Sequence, residues 1–211
     1  MRQPENIRAV DALDIDMMGF IMYPPSPRYF FGNLENICQE QKLLMDTRSK
    51  RTGVFVDEKS ENILNIAHSL QLDFIQLHGN EKPDQCKLLK EEGFKIVKVF
   101  SVKCNEQPET ATRMFSRIEK EYGGMADFFL FDTKCISYGG SGIQFDWNIL
   151  HHYKGNTPFF LSGGIDISSV PQIKEFHHDQ LAGVDLNSGF EISPALKNIK
   201  LLESFITEIR K

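Results

Sequence analysis

Residues 73–102 read DFIQLHGNEKPDQCKLLKEEGFKIVKVFSV. Two apolar runs, DFIQLH (73–78) and KIVKVFSV (95–102), flank a segment of helical period at 83–92, whose Pro83 stands where a first helical turn tolerates proline. The runs are apolar through their centres instead of alternating, the pattern of strands covered on both faces by helices. This stretch is a βαβ unit, and the rest of the chain repeats it.

Working outward, MMGFIMY (17–23), TGVFV (52–56), DFFLFD (127–132), PFFLSG (158–163) and GVDLNSG (183–189) bring the strands to seven. Helices are expected at 34–48, 60–70, 107–121, 168–176 and 197–210, with a short one around Trp147–Leu150. In the helix at 60–70, Ile63, Ile66, Ala67 and Leu70 recur at helical spacing and Ser60 is the candidate N-cap. No linker or shift of composition interrupts the alternation, so residues 1–211 read as a single domain.

The bulk properties narrow the class. The 211 residues are 41% hydrophobic and 25% charged, which excludes wholesale disorder and collagen-like repeats. No apolar run reaches the roughly 18 residues of a membrane span, and the N-terminus does not read as a secretory signal, so a cytoplasmic location is expected. A formal net charge of −5 gives no global field for nucleic acid; a bound phosphate must be held locally. Cys38, Cys86, Cys104 and Cys135 lack the spacing of a zinc site and read as reduced thiols. The pairs His151–His152 and His177–His178 lie near helix ends and read as solvated surface.

One element is out of order. A helix carrying Ile7, Val10 and Leu13 on one face comes first, with no strand before it. Eight helices with seven strands is a (β/α)8 barrel lacking its first β-strand. A doubly wound sheet of seven strands is the fold alternative.

In either architecture chemistry gathers at the C-terminal ends of the strands. SGGI (162–165) and NSGFE (187–191) end the last two strands, and Gly163, Gly164, Ser188 and Gly189 allow backbone N–H groups to approach an anion closely. Asp132 closes an apolar strand at the same level, in the partly buried setting that suits a general acid. His78 ends its strand likewise, and Arg28, stiffened by flanking prolines, could with it grip a carboxylate, the arginine in bidentate fashion. Each of these residues is also readable as an ordinary cap, turn or structural group.

Taken together, SPRYF (26–30), GVFV (53–56), IQLHG (75–79), LFDTK with YGGSG and FDW (130–147), LSGGI (161–165) and VDLNSGFE (184–191) resemble the phosphoribosylanthranilate isomerase family of tryptophan biosynthesis. The resemblance implies a (β/α)8 barrel that performs an Amadori rearrangement of an aminoaldose phosphate to the aminoketose. It implies neither metal nor cofactor, a phosphorylated small-molecule substrate as partner, and a monomer or homodimer without nucleic acid or membrane. Asp132 is implied as the acid that protonates the ribose ring oxygen, with Arg28 and His78 near the anthranilate. Gly163, Gly164, Asp185, Ser188 and Gly189 are implied at the phosphosugar, and the YGGSG segment, with Gly140 and Gly142, as a cover over it.

The family's first strand carries a Cys-Gly motif whose cysteine is the general base, and no Cys-Gly occurs in these 211 residues. Met1 aligns just after that motif. Two explanations compete: a longer natural product started at an internal methionine, or a shortened protein, whose alternative function is non-catalytic phosphosugar binding. The sequences of indoleglycerol-phosphate synthase and of the pentose-phosphate epimerases fit less well, since neither a strand-end catalytic lysine nor metal-binding His/Asp pairs are found. The 211-residue chain is expected to isomerise poorly, since loss of a general base typically costs ~10²–10⁴-fold. Steady-state loss of substrate fluorescence, compared with a chain extended upstream by about ten residues, measures the difference.

Overall fold

The structure, a computed structural model, describes residues 1–31, 47–134 and 145–211. Its seven parallel strands are β1 (Met17–Ile21), β2 (Lys50–Phe55), β3 (Phe74–Leu77), β4 (Lys95–Lys103), β5 (Phe128–Lys134), β6 (Phe159–Leu161) and β7 (Leu181–Val184), hydrogen-bonded in chain order. Each expected strand is present. A doubly wound sheet sets non-consecutive strands side by side at its switch point. Every neighbour here is consecutive, so that alternative falls.

The sheet is curled. Across a flat sheet at ~4.8 Å per strand, β1 and β7 would be about 29 Å apart. Yet Arg28, just past β1, and Glu191, just past β7, are joined by a 2.6 Å ion pair. His78 at the end of β3 likewise lies 3.5 Å from Asp132 of β5, across the intervening strand. Among the described strands β1 pairs only with β2, and β7 only with β6; Ile21 at the end of β1 also bridges Tyr29.

Helices α1 (Pro4–Asp11), α2 (Ser60–Ser69), α3 (Pro83–Glu91), α4 (Pro108–Tyr122), α5 (Val170–Glu175) and α6 (Ile199–Ile209) cover the outer face. Alternation along the strands separates two cores. On β4, Ile96, Phe100 and Val102 face the helices, while Val97 and Val99 join Leu130 on the concave side. Met17 of β1 and Phe160 of β6 pack against that same inner cluster, which only a curled sheet allows. No helix among the described residues is long and apolar enough to cross a membrane.

Several boundaries differ from expectation. Ser60 is the first helical residue and not the cap; Lys59 precedes the helix without a side-chain capping bond. The expected helix at 168–176 divides into a 3-10 turn, Ile167–Ser169, held by a capping box between Asp166 and Ser169, and α5. The segment around Trp147 is a 3-10 helix, Trp147–His152. The last strand ends at Val184 instead of 189, because the carbonyls of Leu186 and Asn187 accept from Lys197 Nζ (3.3 and 2.9 Å) in place of a ladder partner. Beyond it, Glu191–Ser193 (β8) and Leu196–Lys197 (β9) form an antiparallel hairpin not foreseen in the sequence. Most of the expected helix 34–48 lies outside the described residues, so the count of eight helices is not tested.

Between the sheet and the helices, Lys98 and Glu81 form a buried ion pair at 3.0 Å with side chains 2% and 0% exposed. Lys98 Nζ also donates to the carbonyls of Gly79 (2.8 Å), Val99 (3.1 Å) and Leu77 (3.2 Å). Glu81 accepts from the N–H groups of Asp57 (2.9 Å) and Gly79 (2.9 Å). Two charges taken out of water cost several kcal/mol each unless fully paired, and this pair is. Lys98→Met is expected to destabilise the fold by about 3–5 kcal/mol by stranding the Glu81 charge. Lys98→Met with Glu81→Gln should recover a good part of that loss, both read from urea unfolding midpoints.

Candidate active site

The concave mouth of the sheet is built in register. Strand pairing carries Asp132 opposite Ser101, and continuing the β5–β6 and β6–β7 registers by one residue lines up Asp132, Ser162 and Asp185. Ser162 N–H donates to Phe131 O and Asp185 N–H to Leu161 O (3.0 and 2.8 Å), which fixes both side chains at the rim. Ser162 Oγ donates to Asp185 Oδ2 at 3.0 Å. Asp132 accepts from its neighbour's N–H at Oδ1 (2.8 Å), and His78 Nε2 lies 3.5 Å from its Oδ2. His78 is itself placed by its N–H bond to Phe55 O (2.8 Å), and the next residue is Gly79, the turn clamped by Lys98 and Glu81.

Two carboxyl groups thus share one mouth. Burial pushes the Asp185 carboxyl above the ordinary aspartate range; the Ser162 hydroxyl and the Lys197 charge oppose this, the Asp132 charge adds to it, and His78 opposes it.

The glycine loops pack against this rim. Gly163 and Gly164 have φ of +88° and +69°, the left-handed region where other residues are strained. A Cβ on Gly163 would collide with the side chain and N–H of Thr133, next to Asp132. One on Gly189 would collide with the carbonyl oxygen of Ile165, so the two loops touch backbone to backbone. A 3-10 turn, Ser188–Phe190, starts at the second loop.

Comparison with known proteins decides the family. The sequence model described as N-(5'phosphoribosyl)anthranilate (PRA) isomerase matches residues 2–208. The chain belongs to this isomerase family. It is 45% identical over 211 residues to N-(5'-phosphoribosyl)anthranilate isomerase of Phocaeicola vulgatus, covering all of this chain and 95% of that one. The crystal structure of phosphoribosyl anthranilate isomerase from Thermotoga maritima is similar over 100% of this chain and 95% of that chain, with a TM-score of 0.79 and 27% identity. A structure of such an isomerase in complex with reduced 1-(o-carboxyphenylamino)-1-deoxyribulose 5-phosphate matches with a TM-score of 0.78 and 25% identity, again over 100% of this chain and 95% of that one.

Of the residues singled out in this isomerase-family sequence, the fold brings His78, Asp132 and Asp185 together with the glycine loops. It does not record Arg28 beside His78. Arg28 Nε donates to Glu191 Oε2 (2.8 Å) and Oε1 (3.1 Å), and Nη2 pairs with Oε2 (2.6 Å). One face of its guanidinium is thus taken by the protein's own carboxylate. Gly140 and Gly142, with the whole YGGSG segment and Cys38 and Cys135, lie outside the described residues.

Reading the sequence missed Lys197 and the role of Glu191. Lys197 is hidden at the end of a short strand in a segment expected to be helical; its Nζ holds the carbonyl and side-chain oxygens of Asn187 (2.9 and 3.0 Å), 3.6 Å from Glu191. Cys86 is buried behind the sheet, and burial pushes its thiol up to about 11, unsuited to nucleophilic or base chemistry. Cys104 is partly buried just beyond β4. His178 is not solvated surface as expected: its ring lies 4.9 Å from that of Phe159, with Nδ1 accepting from Gln180 N–H (3.1 Å) and Nε2 facing Tyr153 O (3.2 Å). Among the described residues no cluster of three or more His, Cys, Asp or Glu could hold a metal ion.

A raised carboxyl value in the folded state means that Asp185 contributes stability below its unfolded value and loses it as the pH climbs through the folded one. Asp185→Asn, which mimics the protonated acid and can still accept from Ser162, should therefore gain stability relative to the parent between pH 4 and pH 7. Urea midpoints of both proteins at the two pH values test this; parallel midpoints would contradict the assignment.

Proposed function

We propose that this chain carries out the isomerisation of N-(5-phosphoribosyl)anthranilate, the Amadori rearrangement of an aminoaldose to an aminoketose in tryptophan biosynthesis, with Asp132 as its general acid. The observation that carries the reading is the convergence of Asp132, His78 and Asp185 with the SGGI and NSGFE loops at one strand-end mouth. In this reading Asp132 delivers a proton to the ribose ring oxygen, which opens the ring to a Schiff base. Loss of the proton on the second carbon gives an enamine, and its ketonisation yields the aminoketose. His78, beside Oδ2, orients the acid. Asp185 and Ser162 meet the sugar hydroxyls, and the N–H groups around Gly163, Gly164, Ser188 and Gly189 receive the phosphate. Arg28, with Nη1 unpaired among the described residues, meets the anthranilate carboxylate.

The finer architecture belongs to the same proposal. We read the curled sheet as a (β/α)8 barrel whose remaining strand lies between β7 and β1. Three observations support this: no described strand pairs with the open edge of β1 or of β7, the Arg28–Glu191 pair spans the opening, and Met1 packs into the core at 6% exposure. The resemblance assigns the base that removes the sugar proton to that strand, and the cover over the substrate to residues 138–142.

Asp132→Asn is expected to lower turnover by ~10²–10⁴-fold, as for loss of a general acid, while binding of reduced 1-(o-carboxyphenylamino)-1-deoxyribulose 5-phosphate is kept. The assay follows substrate fluorescence in the chain extended upstream; unchanged turnover would remove Asp132 from the role.

A further inference from the structure

The geometry points to Glu191 as the residue that positions Arg28 for recognition of the substrate's carboxylate, a role that rests on the reading of Arg28 given above. A guanidinium has two faces able to take a carboxylate in bidentate fashion, one between Nε and a terminal nitrogen and one between the two terminal nitrogens. Glu191 takes the first, with Nε at 2.8 Å and Nη2 at 2.6 Å from Oε2. This turns the second face, which includes Nη1, away from the hairpin.

Glu191 can do this because it is fixed from several sides. Its side chain is only 4% exposed, against 21% for that of Arg28. Oε1 accepts from Ala195 N–H at 3.2 Å, and Lys197 Nζ stands 3.6 Å away. Burial favours the neutral acid, but the bond from Arg28 and the charges of Lys197 and Arg28 outweigh it and hold the carboxyl below the ordinary range. The carboxylate is therefore ionised and immobile, and it lies on the far side of the opening from the loop that carries Arg28. A flexible arginine is thereby reduced to one orientation before any ligand arrives, which lowers the ordering cost of binding.

The test separates positioning from mere support by comparing two ligands. One is reduced 1-(o-carboxyphenylamino)-1-deoxyribulose 5-phosphate; the other is its phenylamino counterpart without the carboxyl group. In Glu191→Gln the charge is lost while the shape is kept, and binding of the carboxylated ligand should weaken about ten- to a hundredfold, the size of a lost charge-assisted hydrogen bond. Binding of the decarboxy ligand should change less than about twofold, because Lys197 keeps its bonds to Leu186 and Asn187. Glu191→Asp, which keeps the charge on a shorter arm, should restore part of the preference and serves as the working variant should Glu191→Gln not fold. Equal weakening of both ligands, or no change in either, overturns the positioning role. If the parent chain binds neither ligand, the isomerase reading itself fails, a result distinct from both.

Discussion

A parallel sheet wound in one direction must bring its first and last strands back towards each other, and here Arg28 and Glu191 are the residues that hold them there. The pair joins positions 163 apart in sequence. A second tie runs parallel to it, with the Asn6 side chain of α1 donating to Lys197 O (2.9 Å) and accepting from Lys197 N–H (2.9 Å) on β9. No strand ladder joins β1 to β7 among the described residues, so these polar bonds act with the inner cluster that Met17 and Phe160 share to hold the curl. The curl in turn decides whether side chains on non-adjacent strands can meet. His78 reaches Asp132 over β4 only because the inner face is concave.

A second buried ion pair lies behind the middle of the sheet. Lys98 and Glu81 are too costly to bury for stability alone, since an apolar pair of the same volume would serve as well. What they bring is the fixation of a turn: both the N–H and the carbonyl of Gly79 are bound, and the N–H of Asp57 with them. The loops after β2 and β3 are therefore tied to β4 directly beneath His78. Glu191 does for Arg28, beyond β1, what Glu81 does for these. In each case a buried carboxylate, with a lysine beside it, holds a group just beyond a strand end.

Much of this was legible in the chain. Each strand run is apolar at its centre because helices and the inner cluster cover its two faces, and that doubly covered state leaves an imprint that needs no knowledge of partners. Strand ends are legible for the opposite reason: Asp132, His78 and the glycine loops interrupt the apolar pattern where the chain meets solvent. Boundaries set by distant groups were not. The strand at 183–189 ends early because Lys197 takes its carbonyls, and residues 191–197 form a hairpin whose short arms carry no periodicity. His178 looked like surface because a histidine after a helix usually is; the ring of Phe159 makes the difference.

The sequence by itself determined the order of the seven parallel strands, the rim position of Asp132 and His78, and, through motifs spread over nearly the whole chain, the family. These are local properties, written in period, in glycine and in residue type at strand ends. Only the tertiary structure decided that the sheet curls in chain order and is not doubly wound, that Arg28 is bound to Glu191, and that burial drives the Asp185 carboxyl upward. Ion pairing and desolvation depend on which groups face each other across space, and a guanidinium finds its carboxylate 163 residues away only once the sheet has closed that distance.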